Sequence, residues 1–244
     1  MWEKPPVPLH ISRKECHVWK LDLKPINKES FQLDILSEEE KKCLSSFKFA
    51  KDRFRYEITH AMKRWVLASY LNERPKKLVF TREEHGKPAV SPQQNWLNLQ
   101  FNLSHSYELV LLGVTVEDPI GIDIEYHVDN ISVENLSEFI FSPLEKWFFS
   151  KLSSQQEKKE AFFRCWTRKE AYLKAEGLGL TDLLTKISVD MNELPSDDWL
   201  EALTLNKKEK LPWKLFPLNI DKSYTAAVVS AHYPKRLIGY AVDY

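Results

Sequence analysis

The chain has 244 residues, which is long enough for one large domain or two small ones. Hydrophobic residues make up 43% of it and charged residues 29%, which is ordinary for a soluble globular protein. Its 35 basic and 35 acidic side chains cancel, so a general affinity for nucleic acid is not expected. The three cysteines (Cys16, Cys43 and Cys165) have neither zinc-site nor disulfide spacing. The start lacks the apolar core of a signal peptide, and no apolar run is long enough to span a membrane. These features predict a reducing, cytoplasmic location.

In the first half, short strand-like segments surround one long helical pattern. Residues 17–23 alternate and predict a strand, and Ser37 to Glu40 form a capping box that predicts a helix start. A longer helix is predicted over about 51–71. Its apolar stripe contains Phe54, Ile58, Ala61, Met62, Trp65 and Ser69, and the basic residues off that stripe are Arg55, Lys63 and Arg64. Further strands are predicted over 78–81, 97–103 and 109–116.

The second half repeats this order. A strand over 120–125 precedes a second capping box at Ser142 and a long helix from about 156 to 176 that ends at Gly177. Strands are then predicted over 186–190, 213–219, 226–231 and 237–242.

Because the matching elements are offset by about 103 to 106 residues, the pattern predicts a duplication. We expect an α+β fold of two pseudo-symmetric lobes, each a small mainly antiparallel sheet packed against a long helix. The N-terminal lobe would comprise residues 1–118 and the C-terminal lobe residues 119–244. A ligand site at their junction would be natural, since clefts between lobes are common binding sites.

The strand over 120–125 carries an acidic face. Its isoleucines share one side, whereas Gly121, Asp123 and Glu125 share the other. The two carboxylates would lie about 6–7 Å apart and repel unless a cation or a proton lies between them. Oxygen ligands suit a hard cation such as Mg²⁺, and Gly121 leaves room for a ligand to approach. The alternative is an edge strand with a solvated acidic face.

Two further polar patterns are weaker when taken singly. Trp166, Glu170 and Lys174 lie close to one face of the second long helix, although Glu170 and Lys174 could equally form a routine stabilising pair. Ser104 and His105 could bind phosphate through hydroxyl, imidazole and backbone N–H groups, or could belong to a polar turn. A Ser-His-Asp hydrolase is disfavoured because neighbouring strand residues point to opposite faces and no GxSxG motif is present.

In combination these motifs resemble those of the 4′-phosphopantetheinyl transferase superfamily. Gly121-Ile-Asp123-Ile-Glu125 and Trp166-x-x-Lys169-Glu170-Ala171 resemble its two signature motifs. Asn102-Leu-Ser104-His105-Ser106 and Gly86-Lys87-Pro88 match two further motifs in the right order, and Arg55 also fits. The length is similar to that of the Sfp-type branch, whose members are monomers with two pseudo-symmetric lobes.

The resemblance implies a reaction and a division of labour. The enzyme would transfer 4′-phosphopantetheine from coenzyme A to a serine of an acyl or peptidyl carrier protein, leaving adenosine 3′,5′-bisphosphate. Asp123, Glu125 and Glu170 would hold Mg²⁺, although the same ligands suit Mn²⁺. The catalytic residues implied are Glu170 as the base for the serine proton, Lys174 facing the pyrophosphate, and His105 on the 3′-phosphate. The residues implied in coenzyme A binding are Lys42, Arg55, Lys87, Ser104, His105 and Lys174.

Carrier docking is expected beside Glu170, along the apolar stretch 177–184. Charging Leu180 or Leu183 should weaken carrier affinity while sparing coenzyme A. A Mg²⁺-dependent phosphodiesterase or nucleotide hydrolase using the same carboxylates, and a non-catalytic module that binds coenzyme A or a carrier, are the alternative functions. The sequence does not specify which carrier or pathway is served.

Overall fold

The computed structural model describes residues 2–26, 34–83, 85–129, 131–178, 183–195, 200–202, 213–231 and 236–242. The strands are β1 (Trp2–Glu3), β2 (Glu15–Asp22), β3 (Phe80–Arg82), β4 (Pro88–Val90), β5 (Leu99–Ser106), β6 (Leu109–Val116), β7 (Ile120–Tyr126), β8 (Ile187–Val189), β9 (Leu200–Ala202), β10 (Lys214–Leu218), β11 (Tyr224–Ser230) and β12 (Arg236–Ala241). The α-helices are α1 (Glu38–Ser46), α2 (Ala50–Leu71), α3 (Val133–Ile140), α4 (Pro143–Ser150) and α5 (Gln155–Glu176).

Two sheets organise the chain. One has the strand order β1-β12-β2-β6-β5, and the other has the order β10-β11-β7. Antiparallel β2-β6-β5 in the first sheet has its counterpart in antiparallel β7-β11-β10 in the second. Strand β12 is parallel to both of its neighbours, β1 and β2. This last strand follows the second sheet in the chain but pairs in the first, which strand patterning alone did not predict.

The helix boundaries show the same repeat. Both predicted capping boxes are confirmed, because the Ser37 and Ser142 side chains accept from the backbone N–H three residues on. Helices α2 and α5 each have 22 residues and begin 105 positions apart, at Ala50 and Gln155. Each ends at a left-handed residue, Asn72 or Gly177.

Three apolar clusters hold these layers together. Helix α2 packs its buried residues on the first sheet, and α5 packs on the second. The third cluster joins the two sheets, with Cys16, Val18 and Leu111 from the first against the isoleucines of β7 from the second. The α+β fold with two related halves is confirmed, and the isoleucine face of β7 is turned away from α5.

The predicted stripe on α2 is partly wrong. Trp65 is 51% exposed and Ser69 is exposed, whereas Lys63 and Arg64 are buried. The reason is an ion pair that apolar periodicity does not reveal: the ammonium of Lys63 and the guanidinium of Arg64 both bond to the buried carboxylate of Glu40 on α1. None of the described helices combines the length and apolar character needed to cross a bilayer.

Candidate active site

The acidic strand β7 is not a solvated edge. Asp123 is 3% exposed and Glu125 is half-buried. Strand β11 pairs along one edge of β7, and side chains of β5 cover the other. The Ile122 N–H donates to Asn102 Oδ1 at 2.9 Å, and the Tyr126 N–H donates to Ser106 Oγ at 3.0 Å. Side chains of β5 therefore occupy the place of a neighbouring strand, and the two sheets meet at the carboxylates.

Alternate residues of β5 share one face, and the serine hydroxyl groups on that face contact the carboxylates of β7. Ser104 Oγ donates to Asp123 Oδ1 at 2.9 Å, and Ser106 Oγ donates to Glu125 Oε2 at 3.0 Å. His105 alternates with them and is exposed. The motif thus divides into a serine face that contacts the acids and a histidine that does not.

Helix α5 brings the remaining polar groups over β7. The Trp166 indole N–H donates to Glu125 Oε1 at 3.1 Å. The Lys174 ammonium donates to Asp123 Oδ1 at 2.6 Å and to Ser104 Oγ at 3.3 Å. Lys174 therefore forms its ion pair across to β7, which the routine helix-surface alternative did not predict.

Gly121 makes this close approach possible. A Cβ placed on Gly121 would lie 1.9 Å from the Ala171 carbonyl oxygen and 2.4 Å from the Ala175 nitrogen. The expectation that the glycine leaves room for a ligand is wrong, because the backbone of α5 fills that space. The missing side chain instead lets Glu170 and Lys174 come near Asp123.

The carboxylates have unusual electrostatics. Burial raises the pKa of Asp123 to about 6, although the charge of Lys174 opposes the shift. Burial, and then the charge of Asp123, raise the pKa of Glu170 to about 7. Asp123 Oδ2 and Glu170 Oε1 are both buried without a hydrogen-bond partner. Such oxygens are costly unless a proton or a cation satisfies them.

The donor set therefore fits a hard cation in its chemistry. Asp123, Glu125 and Glu170 supply only carboxylate oxygens, and two of those oxygens are buried and unpartnered. Within the described residues, no three acidic, histidine or cysteine side chains converge as a finished metal site. The ammonium of Lys174 meanwhile provides the positive charge beside Asp123.

Of the five basic residues predicted to bind phosphate, three influence one another. Arg55 on α2 is partly buried, and its Nε is buried without a partner. Desolvation lowers the pKa of His105, and the positive charges of Arg55 and Lys174 lower it further. Arg55 and Lys174 thus place positive charge on either side of an imidazole whose charged form is disfavoured, and these two cations could attract an anion.

The other two basic residues lie elsewhere. The Lys87 ammonium donates to the carbonyl oxygens of Ile120 at 2.9 Å and Ala175 at 3.5 Å, so it ties the start of β7 to the end of α5. Burial lowers the pKa of Lys87 to about 8. Lys42 is exposed on α1, and among the described residues it makes no side-chain contact with the predicted site.

Sequence reasoning gave no role to three residues that shape the site. Asn102 and Ser106 join β5 to β7, and their polar alternation with Ser104 could have identified them. Lys169 is fully buried beside Glu170, where its ammonium bonds to Glu145 Oε2 at 2.5 Å. No pattern in the sequence distinguishes this lysine from an exposed one.

A cavity of about 340 Å³ with mainly apolar walls also opens beside Glu125 and Trp166.

Comparison with known proteins identifies the family. A family model described as the 4′-phosphopantetheinyl transferase superfamily matches residues 119–229, and one described as 4′-phosphopantetheinyl transferase, N-terminal, matches residues 23–117. The 4′-phosphopantetheinyl transferase HetI of Nostoc sp. is 33% identical over 238 residues, covering 94% of this chain and 93% of the relative. Sfp of Bacillus subtilis, also a 4′-phosphopantetheinyl transferase, is 29% identical over 206 residues, covering 84% and 85%.

A more distant relative widens the comparison. The L-aminoadipate-semialdehyde dehydrogenase-phosphopantetheinyl transferase of Pongo abelii is 27% identical over 206 residues, covering 79% of this chain and 66% of the relative. The two family models and these relatives identify the chain as a transferase. The chain belongs to the 4′-phosphopantetheinyl transferase superfamily and resembles its Sfp-type members.

Proposed function

We propose that this enzyme takes 4′-phosphopantetheine from coenzyme A and transfers it to the serine hydroxyl of an acyl or peptidyl carrier protein. The observation that carries the proposal is the pair of buried, unpartnered carboxylate oxygens on Asp123 and Glu170, beside the ammonium of Lys174. This arrangement suits a phosphate diester, which needs positive charge at its oxygens and a base for the attacking hydroxyl.

Asp123, Glu125 and Glu170 would hold Mg²⁺ or Mn²⁺. When bound, the cation would neutralise charge that develops on the phosphate oxygens. Proton transfer and the phosphate contacts are assigned to side chains of the protein.

Glu170 is assigned as the base that takes the proton of the carrier serine. Without a cation its pKa is about 7, which is near neutral pH, and a bound cation would favour the ionised form that accepts a proton. Lys174 is held by Asp123 and Ser104 and is assigned to the pyrophosphate. Arg55 and His105 are assigned to the 3′-phosphate, since the guanidinium of Arg55 has a buried Nε donor without a partner and its charge acts on His105.

Lys87 and Lys42 have weaker support as phosphate ligands. Lys87 already donates to two carbonyl oxygens, so its first role is to fix β7 against α5. Lys42 remains a proposed contact on α1. We also propose that the N-terminal lobe, residues 1–118, supplies phosphate contacts, while residues 119–244 supply the metal carboxylates and the carrier-docking surface.

Half of the proposed docking stretch falls outside the described residues, which include Gly177, Leu178, Leu183 and Leu184 but not 179–182. Leu183 packs against the core of the second half. A charge at Leu183 should therefore also lower stability, which makes Leu180 the better position for testing the docking hypothesis. The enzyme is further proposed to act as a cytoplasmic monomer without a nucleic-acid or membrane partner.

Intact-protein mass spectrometry tests the proposal. An apo carrier protein is incubated with the enzyme, coenzyme A and Mg²⁺. A gain of one phosphopantetheine, lost with EDTA and with Glu170→Ala, would support both the reaction and the metal. Coenzyme A consumed without a change in carrier mass would favour the phosphodiesterase. Coenzyme A bound but unchanged across several carriers would favour the binding module.

A further inference from the structure

The first half of the chain contains a counterpart of the active-site cleft. Strand β2 pairs with β6 as β7 pairs with β11. Trp19 faces α2 as Asp123 faces α5, and an offset of about 104 residues aligns the two positions. Helices α2 and α5 are 105 positions apart, which places Trp65 at the position of Glu170 and Ser69 at that of Lys174.

A helix contact is consistent with this correspondence. The His17 ring on β2 bonds to the Tyr70 hydroxyl on α2, with 2.7 Å between Nδ1 and the oxygen. Gly121 and Ala175, at the equivalent positions, are likewise in contact between β7 and α5. Trp19 and Trp65 of the first cleft therefore take the places of the acids Asp123 and Glu170 in the second. Ser69 takes the place of Lys174.

A large cavity covers this counterpart cleft. It measures about 790 Å³ and is lined by Trp19, Trp65 and Ser69, together with Trp96 and the segment 5–10. The tryptophans at its mouth are exposed to water, Trp65 by 51% and Trp96 by 67%. Its volume lies within the range of small-molecule sites, which is about 300–1,000 Å³.

The lining specifies the chemistry of an occupant. None of the described lining residues is Lys, Arg, Asp or Glu. Trp19 donates to the Tyr70 hydroxyl, and Trp96 donates to the Leu71 carbonyl oxygen. The Ser69 hydroxyl donates to the carbonyl oxygen of Trp65. These three donors are already hydrogen-bonded within the protein, and the other polar side chains at the cavity are those of His10 and Asn72. A charged ligand would therefore lose hydration without meeting a carboxylate, an ammonium or a guanidinium among the described lining residues.

We propose that this cavity is a second ligand site, for an uncharged and predominantly apolar small molecule with an aromatic or alkyl body. Binding is by burial against tryptophan faces, which give a large apolar contact. The site is separate from the carboxylates of β7, so it does not depend on the proposed transfer reaction.

Nile red, a neutral apolar dye, is the probe for the test. Its fluorescence is titrated against the full chain, the Trp65→Glu variant and the Trp147→Glu variant. Trp65→Glu introduces the residue found at the equivalent place in the second half. Trp147 is 61% exposed on α4 and is the matched control. We expect saturable one-to-one binding that Trp65→Glu weakens by about tenfold or more and Trp147→Glu leaves unchanged.

Charge preference and oligomeric state complete the test. 2-Naphthol should displace the dye, and 2-naphthyl phosphate should not. Thermal melts establish that both variants are folded. Equal dye affinity in Trp65→Glu, absence of saturation, or equal displacement by the phosphate overturns the proposal. Size-exclusion chromatography with light scattering tests whether a second copy of the chain fills the cavity instead. A wild-type dimer that Trp65→Glu dissociates would show this, and it would also overturn the small-molecule proposal.

Discussion

The two halves of this chain share a scaffold but differ most where their clefts lie. In the second half, Asp123 and Glu170 bring buried carboxylate oxygens together without partners. In the first half, Trp19 and Trp65 occupy the corresponding positions and line an apolar cavity. One scaffold therefore tolerates both an electrostatically unfavourable cleft and an apolar one, which implies that other contacts supply its stability.

Those other contacts are found in both halves. Arg64 bonds to the buried Glu40 at 2.6 Å, and Lys169 bonds to the buried Glu145 at 2.5 Å, 105 positions further along. Each acid also belongs to a capping box, and each cation also donates to two backbone carbonyl oxygens. The ion pair that fixes the short helix to the long one is common to both halves, whereas the cleft is not.

The largest expected effect is a loss of carrier modification when the second cleft, but not the first, is changed. Glu170→Gln removes the proposed base and one metal ligand, so the rate of carrier modification should fall by about 10²–10⁴-fold. The matched variant Trp65→Gln changes the equivalent position of the first half and should leave that rate within about twofold, because it lies outside the catalytic cleft. Single-turnover mass spectrometry measures both rates. Comparable losses in the two variants would contradict the assignment of catalysis to the second cleft.

The second prediction concerns the shared ion pairs. Lys169→Met should lower the free energy of unfolding by about 3–5 kcal/mol, because it takes the cation away from the buried carboxylate of Glu145. Arg64→Met should cost less, because Lys63 still pairs with Glu40. Urea denaturation measures both. The double variant Glu145→Gln/Lys169→Met should recover much of the loss, since it removes both charges. A loss in Arg64→Met as large as that in Lys169→Met would mean that Lys63 does not compensate for the missing guanidinium.

The third prediction concerns the approach of the helix to the strand. Gly121→Ala places a methyl group against backbone atoms of α5 and should cost about 3 kcal/mol in unfolding free energy and much of the transfer rate. Gly113→Ala is the control, because its methyl group would meet only the flexible tip of Ile120, at 2.7 Å. Its cost should be smaller. Thermal melts and transfer rates together check the pair, and equal costs would mean that α5 can shift.

Local signals in the sequence were sufficient for most elements. The capping boxes at Ser37 and Ser142 and the alternation over 120–125 depend on neighbouring residues, and all three are confirmed. The repeat was visible for the same reason. Strand β12 was assigned as a strand, but its pairing with β2 was not predicted, because parallel partners are set by tertiary packing rather than by local pattern.

Contacts between residues far apart in the sequence could not be predicted from local patterns. Lys63, Arg64 and Lys169 look like surface residues, but buried acids elsewhere in the chain make them core residues. Gly121 was recognised as a close-approach position, yet the sequence did not indicate that a helix, rather than a ligand, would approach. The family resemblance grouped the acidic residues, and the structure supplied the pairing of Lys174 with Asp123.

The smallest expected effect is a dependence of stability on pH that only the second cleft should produce. The folded protein raises the pKa of Glu170 from 4.5 to about 7, so the folded state binds a proton more tightly than the unfolded state. This contribution to stability is fully present below about pH 4.5 and is lost as the pH rises through about 7.

In EDTA, wild-type protein should therefore lose on the order of 2 kcal/mol relative to Glu170→Gln between pH 5 and pH 8. Urea denaturation at several pH values measures this difference. Trp65→Gln should follow the wild-type slope, because the first cleft has no buried carboxyl group at the equivalent position. Parallel curves for wild type and Glu170→Gln would mean that burial of Glu170 does not shift its titration, and the cleft would then lack the poised base that the proposed reaction needs.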